Sequence, residues 1–360
     1  KWETPYHLVN KMRASIIVLG PLLSRIGQAK VAMPGGCNIG SRKIDLHIRG
    51  LELMGAEIEV GNGFIEAKSA GLQGIVIHLD FPSVGATENL IMAATLAKGT
   101  TVIENAAREP EIVDLANFLN TMGANISGAG NYDIVVKGVK RLHGTDYVIM
   151  PDRIETGTFL VAGAITGGNL FLEGAKEDYL LMALRKLKDI GLEVDSFSDG
   201  IEIKSTGRLA AVKISTLPHP GFPTDLQAPF MALLSLAEGT SVITENVFES
   251  RFVCVGELCR FGSAIKTKAH YAIIDGPRRL KGAKVKAPDL RGGAALILAG
   301  LAASGVTEIT DVYHIDRGYE RLEEKLTGVG ADIERLEIKS NNYPAMDRQV
   351  EADLYQVPGL

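Results

Sequence analysis

A glycine-rich segment surrounds the first of the chain's three cysteines. The segment Pro34–Gly40 reads Pro-Gly-Gly-Cys-Asn-Ile-Gly, and two basic residues, Arg42 and Lys43, follow it closely. Glycines allow a loop to approach a ligand and to open or close over it, and neighbouring cations lower the pKa of a thiol. No Gly-Lys-Ser/Thr follows, so the segment is not a Walker A phosphate loop. We interpret Cys37 as a candidate reactive thiol, with an inert loop cysteine as the alternative.

Charged residues recur at one place of a repeated pattern, 14 residues ahead of a recurring glycine. At each place a strand is expected to turn into a buried helix. Free N–H groups and the helix dipole already favour anions there, so an arginine opposes the field of its own helix and indicates another purpose. A salt bridge between repeats and an anion-binding site both fit. The residues at these places are Arg13, Gly85, Arg153 (14 residues ahead of Gly167), Asp225 and Arg291.

Asp225 is the acidic member of this set and lies in a run that is typical of a helix start. Thr224–Gln227 matches a capping box, in which the side chains at the two ends of the run each bind a backbone N–H group at the other end. The dipole in the first turn of a helix favours an ionised carboxylate. Asp225 could therefore act as a general base, bind a sugar hydroxyl or serve only in capping.

The remaining cysteines and the histidines give no metal-binding pattern. Cys254 and Cys259 fall in a helical pattern, and no histidine lies close enough in sequence to complete a metal site, so we expect both to pack in the core. The chain contains no His-x-x-x-His pair. His47 comes soon enough after Arg42 to contact a ligand, whereas His219 precedes a proline and is expected only to shape a turn. The spacing of these residues therefore predicts no metal site.

Glycines also mark a repeat of about 69 residues. A helix end, a glycine and a short strand recur, with spacings of 68, 68, 71 and 68 residues, at Gly55, Gly123, Gly191, Gly262 and Gly330. A second set, each followed by a β-rich run, has a similar period and consists of Gly27, Gly99, Gly168, Gly239 and Gly305. The pattern predicts two helices and about four short strands per unit. Because the first helix of each unit is apolar nearly all round, we expect the helices inside and the strands outside.

Length and repeat together indicate two domains. A chain of 360 residues is long enough for two hydrophobic cores, and Val148–Pro151 is a plausible crossover between them. We predict an N-terminal domain over 1–150 that carries the glycine-rich segment, a C-terminal domain over 151–340 and a turn-rich tail over 341–360. Five units are an odd number for two similar domains, and the first unit is short. We therefore expect either a further unit ahead of residue 1 or domains of unequal size.

Composition and charge exclude several classes of protein. The hydrophobic fraction of 46% and the charged fraction of 22% are globular values that exclude a disordered chain, a collagen and a coiled coil. The net charge of −5 gives no global attraction for nucleic acid, so an anionic ligand must be held by local cations. The stretch Gly292–Val306, of 15 residues, is too short to span a membrane and predicts a buried helix. The lack of a leading signal peptide and the low cysteine content favour the cytoplasm.

Eight colinear motifs resemble the UDP-N-acetylglucosamine enolpyruvyl transferases (1-carboxyvinyltransferases). They run from about residue 5 to about residue 338 and are Lys11–Ser15, Pro34–Gly40 with Arg42 and Asp45–His47, Ser83–Thr87, Glu104–Glu111, Pro151–Thr156, Phe222–Gln227, Asp289–Arg291 and Tyr313–Glu320. The cysteine in the glycine-rich segment distinguishes this family from the shikimate-pathway enolpyruvyl transferases, which share the fold.

The resemblance implies an α/β (α+β) fold of two domains, each an inside-out α/β barrel of three repeated units. It also implies that most of the first unit is absent from this chain, together with the family's N-terminal Lys-Asn pair, which helps to bind phosphoenolpyruvate. A truncated chain that binds UDP-N-acetylglucosamine with little turnover is therefore an alternative. A third hypothesis is an enolpyruvyl transferase for another acceptor, against which Cys37 and the run Arg42–His47 argue.

The resemblance further implies the reaction. The enolpyruvyl group of phosphoenolpyruvate moves to the 3′-hydroxyl of UDP-N-acetylglucosamine with release of phosphate, in the first committed step of peptidoglycan synthesis. Cys37 matches the acid that delivers a proton to C3 of phosphoenolpyruvate and the site alkylated by the epoxide fosfomycin. Asp225 matches the base at the attacking hydroxyl, and each such step is worth about 10²–10⁴-fold in rate. The expected partners are these two small molecules, without nucleic acid and without membrane insertion. The resemblance implies that neither a metal nor an organic cofactor is required.

A set of substrate-binding residues follows from the same resemblance. Arg42 and Arg291 match residues that hold the phosphate and the carboxylate, for which a planar guanidinium is suited. Arg153 and Arg251 match residues of the substrate cleft. The residues that match the sugar-nucleotide site are Arg13, Arg42, Lys43, Ile44, Asp45, Leu46, Ser83, Val84 and Val247.

Overall fold

The computed structural model describes residues 1–9, 12–33, 44–338 and 352–358, which form two compact units. The described residues up to Met150 belong to the first unit, and those from Pro151 onward belong to the second. None of the helices within these ranges is long and apolar enough to cross a membrane.

The first unit combines short helices with two open sheets. Its helices are α1 (Tyr6–Val9), α2 (Leu19–Ile26), α3 (Asp45–Leu53), α4 (Val84–Ala94) and α5 (Pro110–Thr121), with a 3-10 helix over Arg13–Val18. Its strands are β1 (Gln28–Ala32), β2 (Glu57–Gly61), β3 (Phe64–Lys68), β4 (Val76–His78), β5 (Thr100–Glu104), β6 (Asn125–Ser127) and β7 (Asp133–Lys137). The strand orders are β1-β3-β2 and β4-β5-β7-β6, in which only β4 and β5 pair in parallel.

Helix α4 lies at the centre of the core of the first unit. It packs against α2, α3 and the 3-10 helix, and its small and apolar residues, such as Ala86 and Leu90, are fully buried. Glycines on the neighbouring helices permit this close approach, because Gly20 of α2 lies against Asn89 and Gly50 of α3 lies against Leu90. The packing brings the starts of α3 and α4 and the 3-10 helix into one neighbourhood.

The second unit has longer buried helices and three open sheets. Its helices are α6 (Arg153–Ile165), α7 (Leu181–Ile190), α8 (Gln227–Leu234), α9 (Val255–Arg260), α10 (Leu290–Leu301) and α11 (Leu322–Gly328), with 3-10 helices over Glu177–Tyr179, Thr224–Leu226 and Val312–His314. Its strands are β8 (Asn169–Glu173), β9 (Glu193–Ser196), β10 (Gly200–Lys204), β11 (Lys213–Ser215), β12 (Gly239–Thr244), β13 (Ala264–Lys268), β14 (Tyr271–Gly276), β15 (Lys284–Lys286), β16 (Val306–Thr310), β17 (Glu334–Ile338) and β18 (Ala352–Pro358). The strand orders are β8-β10-β9, β11-β12-β14-β13 and β15-β16-β18-β17.

Three helices, α6, α8 and α10, form the centre of the second unit. They pack against one another, and every residue of α8 is buried. Because these helices are apolar on all sides, they must be covered all round. Strands such as β14 supply part of the cover by burying alternate residues, including Ala272 and Ile274. The buried helix predicted over 292–306 corresponds to α10, which ends at Leu301 before β16 begins.

The mixed α/β fold is confirmed, whereas the barrel detail is not, because the five sheets formed by the described residues are open and separate. The tail predicted over 341–360 is wrong for its described part, because β18 is an inner strand that pairs antiparallel with both β16 and β17. The physical reason is the alternation of Tyr355 and Val357, whose side chains are fully buried on one face of the strand.

Candidate active site

Asp225 lies in the 3-10 helix ahead of α8 and faces two arginines of the same unit. Nη2 of Arg251 donates a hydrogen bond to Oδ1 of Asp225, and Nε of Arg291 lies 3.7 Å from the same oxygen. The Arg251 side chain is 4% exposed, whereas that of Asp225 is 40% exposed. A ligand can therefore reach the carboxylate, while the two cations beside it lie deeper.

Arg291 stands at the first turn of α10, where the helix field opposes its charge. The side chain of Asp289 caps this helix by accepting hydrogen bonds from the backbone N–H groups of Arg291 and Gly292, at 2.9 and 3.1 Å. The guanidinium lies 5.2 Å from the ring centre of Tyr319, whose hydroxyl group is 2.8 Å from Oγ1 of Thr158. The cap and the aromatic ring together hold the cation in place.

The charge of Arg291 survives its burial. Burial alone would lower the pKa of the guanidinium, but the Asp225 carboxylate and the Tyr319 side chain outweigh it, and the net effect raises the pKa. Nε and Nη1 have no hydrogen-bond partner among the described residues. These two donors are suited to an anionic group of a ligand.

Arg153 occupies the equivalent place at the start of α6 and is half-buried. Asp152 caps this helix by accepting hydrogen bonds from the N–H groups of Ile154 and Glu155, at 2.7 and 3.0 Å. An acidic cap thus precedes the arginine at both Arg153 and Arg291. The caps offset the adverse field that the helix dipole imposes on each arginine.

The capping box predicted over Thr224–Gln227 is wrong. The hydroxyl of Thr224 donates instead to Oε2 of Glu245, at 2.9 Å, and Gln227 is fully buried without a hydrogen-bond partner for its amide among the described residues. A carboxylate is a stronger acceptor than a backbone group, and Glu245 brings one next to Thr224. Glu245 also accepts from the N–H of Val247, at 2.8 Å, and was missed by sequence analysis.

The first unit gathers the predicted sugar-nucleotide residues around the starts of its helices. Ile44 and Asp45 begin α3 together with Leu46, Arg13 begins the 3-10 helix, and Val84 begins α4. Ser83 caps α4 by accepting a hydrogen bond from the N–H of Ala86 at 3.4 Å. Burial lowers the pKa of Arg13. The residues that fall outside the described ranges are Cys37, Arg42 and Lys43, whose roles stay predictions.

His47 is buried at the centre of this group. Its Nδ1 lies 3.0 Å from Nδ2 of Asn89, which also donates to the carbonyl of Ile16 at 3.3 Å. Burial first, and then the charge of Arg13, lower the pKa of His47 to about 4, although Asp45 opposes the shift. Gly85, the second-unit residue at the place of the arginines, lies against this ring, because a Cβ there would be 3.4 Å from Cε1.

The first unit also holds a carboxylate that sequence analysis missed. Glu88 lies on α4, and its pKa is raised to about 7 by burial and then by the charges of Glu111 and Glu109. The motif Glu104–Glu111 was recognised only as part of the family resemblance, and nothing in its spacing indicated that Glu88 would face it.

The two described cysteines differ in their surroundings. Cys254 is fully buried beside α9, as predicted, and burial followed by the charge of Asp289 raises the pKa of its thiol to about 12. The core position predicted for Cys259 is wrong, because its side chain is exposed on the outer face of α9. A buried, protonated thiol such as Cys254 is a poor candidate for an acid or a nucleophile.

Similarity to known proteins assigns the chain to one class of enzymes. A sequence model of EPSP synthase (3-phosphoshikimate 1-carboxyvinyltransferase) matches residues 1–326. The chain therefore belongs to the EPSP synthase family of enolpyruvyl transferases. The enolpyruvyl transferase NikO from Streptomyces tendae has a similar structure, with a TM-score of 0.82 and 28% identity, over 92% of this chain and 79% of that one. EPSP synthase from Acinetobacter baumannii shares the fold, with a TM-score of 0.66 and 22% identity over 88% of this chain and 76% of that one.

Curated relatives define a narrower group within the family. UDP-N-acetylglucosamine 1-carboxyvinyltransferase 1 of Caldanaerobacter subterraneus subsp. tengcongensis is 56% identical over 333 residues, which are 92% of this chain and 80% of the relative. The enzyme of the same name from Staphylococcus aureus (strain N315) is 56% identical over 335 residues, which are 93% of this chain and 80% of the relative.

Proposed function

We propose that this protein is a UDP-N-acetylglucosamine 1-carboxyvinyltransferase. It transfers the enolpyruvyl group of phosphoenolpyruvate to the 3′-hydroxyl of UDP-N-acetylglucosamine and releases phosphate, which is the first committed step of peptidoglycan synthesis. The observation that carries the proposal is the accessible carboxylate of Asp225 beside the buried guanidinium groups of Arg251 and Arg291. The relatives that share 56% of its residues over most of the chain carry this activity in their names.

The addition step needs a base, an acid and a cation. Asp225 takes the proton of the 3′-hydroxyl as its oxygen bonds to C2 of phosphoenolpyruvate, and Cys37 delivers a proton to C3. Arg291 holds an anionic group of phosphoenolpyruvate with donors that make no hydrogen bond among the described residues. Two buried cations next to the reacting carboxylate stabilise the negative charge of both substrates.

The elimination step restores the double bond. The bond between C2 and the phosphate oxygen breaks, the thiolate left on Cys37 takes a proton back from C3, and the proton held by Asp225 leaves with the inorganic phosphate. Protein cations that hold the phosphate stabilise the leaving group, a role that we assign to Arg291 together with Arg42. No metal or organic cofactor enters these steps.

The sugar nucleotide completes the proposal. We assign its binding to Arg13, to the start of α3 with Lys43 ahead of it, to Ser83 and Val84, and to Val247. Arg153 and Arg251 contribute further positive charge for the anionic substrates. Both substrates are charged small molecules, and we assign the reaction to the cytoplasm.

Phosphate release tests the function. With both substrates present, the wild-type protein should release phosphate, and Asp225→Asn should lower kcat by about 10²–10⁴-fold because the amide cannot accept the proton. Asp195→Asn, on the exposed face of β9, is the matched control and should leave the rate unchanged. The reaction should stop when 3-phosphoshikimate replaces the sugar nucleotide.

Three outcomes would reject parts of the proposal. Binding of UDP-N-acetylglucosamine without phosphate release would make the protein a sugar-nucleotide binder. Phosphate release with 3-phosphoshikimate alone would move it to the other activity of the family. A wild-type rate in the Asp225→Asn variant would be consistent with a transferase but would show that Asp225 is not the base.

A further inference from the structure

Glu245 is a buried carboxylate directly after strand β12, with 3% of its surface exposed. Its Oε1 accepts hydrogen bonds from the hydroxyl of Thr216 at 2.8 Å and from the N–H groups of Val247 and Phe248 at 2.8 and 3.1 Å. Its Oε2 accepts from the hydroxyl of Thr224 at 2.9 Å. Burying an ionised carboxylate is costly, and these charge-assisted hydrogen bonds compensate for that cost.

The donors belong to segments that carry residues of the candidate site. Thr224 directly precedes Asp225 in the 3-10 helix, and Val247 is an assigned sugar-nucleotide contact. The ring of Phe248 lies 5.7 Å from the guanidinium carbon of Arg251, which in turn holds Asp225. One side chain therefore joins the segment of Asp225 to the segment of Val247.

A second layer of hydrogen bonds stiffens this connection. Oγ1 of Thr216 donates to Glu245 and accepts from the N–H of Asn246 at 2.9 Å. The side-chain amide of Asn246 donates to the carbonyl of Thr216 at 3.1 Å. The loop after β12 is thus fixed to the end of β11 on both sides of the carboxylate.

The repeat shows that this arrangement is not a requirement of the fold. Glu245 stands six residues after Gly239, and Asn105 and Asp311 stand at the same distance after Gly99 and Gly305. Asn105 donates to the carbonyl of Leu79 at 2.7 Å, and Asp311 pairs with the exposed Lys286 at 2.9 Å. The same place in other units is thus filled without a buried carboxylate.

We propose that Glu245 is a positioning residue that sets the place of Asp225 relative to the sugar-nucleotide contact at Val247, an inference that rests on the proposed function. Glu245 itself does not touch the substrates. It acts through Thr224 and through the loop 246–248, so that the base and the nucleotide contact move as one piece. A displacement of about 1 Å between reacting groups costs about 10²-fold in rate.

Two substitutions at this position separate positioning from bulk stability. Glu245→Ala removes every acceptor, whereas Glu245→Gln keeps an amide oxygen for Thr216, Val247 and Phe248. The Gln amide can donate to the hydroxyl of Thr224, which rotates to accept. We expect Glu245→Ala to raise the KM for UDP-N-acetylglucosamine and to lower kcat/KM by about 10²-fold, and Glu245→Gln to restore most of the loss.

The KM for phosphoenolpyruvate provides the discriminating readout. None of the hydrogen bonds that Glu245 makes among the described residues involves Arg291 of α10, which meets this region only through its ion pair with Asp225 at 3.7 Å. The KM for phosphoenolpyruvate should therefore change much less than the KM for the sugar nucleotide in Glu245→Ala. A purely structural loss would lower the active fraction and therefore kcat, with both KM values unchanged. Asp311→Asn, at the equivalent place of another unit, is the matched control and should leave all three constants unchanged.

A milder pair of variants covers the case in which Glu245→Ala fails to fold. Thr224→Val removes the hydrogen bond next to Asp225 at nearly constant volume, and Thr224→Ser retains it. The first should raise the KM for the sugar nucleotide by roughly tenfold, the value of one charge-assisted hydrogen bond, and the second should not.

The outcomes distinguish this inference from the proposed function. The positioning role is overturned if the wild type is active and either Glu245→Ala or Thr224→Val keeps the wild-type KM for the sugar nucleotide. The proposed function would then remain intact. A wild-type protein that neither binds UDP-N-acetylglucosamine nor releases phosphate overturns the function, and the positioning role falls with it. Equal losses in Glu245→Ala and Asp311→Asn would also overturn the role.

Discussion

Buried charge at the level of single residues is balanced by specific neighbours. Arg291 keeps its positive charge because its Nε lies 3.7 Å from Oδ1 of Asp225. The ring of Tyr319 and the capped start of α10 also surround the guanidinium. For the buried Cys254, the charge of Arg251 opposes the effect of burial without overcoming it, and the pKa of the thiol is raised to about 12. Burial therefore leaves Arg291 charged and able to bind an anion, whereas it keeps the thiol of Cys254 protonated and unreactive.

The protonation state of His47 is fixed by a chain of hydrogen bonds. Oδ1 of Asn89 accepts from the N–H of Gly20 at 2.7 Å, so its Nδ2 must face Nδ1 of His47. Nδ1 is therefore the acceptor, and a proton placed there would oppose an N–H donor. This geometry agrees with the low pKa of His47.

Acid should destabilise the protein through His47. Its pKa falls from 6.5 in the unfolded chain to about 4 in the folded one, so the stability present above pH 6.5 is lost as the pH falls through 6.5 toward 4. The shift corresponds to about 3 kcal/mol. We expect urea unfolding without ligand to show this difference. Between pH 7 and pH 4, the free energy of unfolding of the wild type should fall by about 3 kcal/mol more than that of His47→Gln. Parallel pH profiles for the two proteins would contradict the expected burial of a neutral ring.

Helix starts are the elements on which the candidate site is built. Arg13, Arg153 and Arg291 each begin or nearly begin a helix, and acidic caps at Asp152 and Asp289 precede two of them. Each cap satisfies backbone N–H groups and offsets the positive end of the dipole. A cation can then stand at a helix start without weakening it.

The contact between α2 and α4 depends on one glycine. A Cβ on Gly20 would lie far inside van der Waals distance of the carbonyl oxygen and Oδ1 of Asn89, which are held by hydrogen bonds and cannot retreat. Gly20→Ala should lower the free energy of unfolding by about 1–3 kcal/mol and disturb His47. Gly256→Ala is the control, because nothing lies within 4 Å of its Cβ, and alanine there should be neutral or stabilising by up to about 1 kcal/mol. Equal effects of the two changes on chemical denaturation would refute the close contact.

The chain repeats one unit of helices and strands, and the sheet of the last unit is completed by β18, which is distant from β17 in the sequence. In the sheet β11-β12-β14-β13, strands β13 and β14 are joined by a two-residue turn after Lys268. Strand β18 takes the place of β14 in the last sheet, although residues 339–351 separate it from β17 in the sequence. The hydroxyl of Tyr355 donates to Oε2 of Glu323 at 2.7 Å and so also fixes α11.

Removal of residues 352–360 should unfold the last layer. It deletes the fully buried side chains of Tyr355 and Val357 and leaves β16 and β17 without their common partner. The loss should be at least about 3 kcal/mol. Hydrogen exchange should show lost protection in β16, β17 and α11, while β5 and β7 of the first unit serve as the internal control. Retained protection in β16 and β17 would mean that the last sheet does not need β18.

The sequence by itself determined the local pattern of this protein. Apolar helices, glycines at helix ends and the places of Arg153, Asp225 and Arg291 are encoded within a few residues of one another, and the repeat displays them several times. The family resemblance added the reaction and the residues proposed for it. The barrel that the resemblance implied is not confirmed, because the sheets of the described residues are open.

The tertiary structure alone decided which of these residues meet. Arg251 reaches Asp225 across 26 residues of chain, and Glu245 takes the hydroxyl of Thr224 that local rules had assigned to a capping box. Strand β18 pairs with partners that no local signal identified. The physical reason is that possible partners compete. A hydrogen-bond donor binds the best acceptor that folding brings near, and a strand pairs with the best available strand edge. Sequence spacing does not reveal these partners.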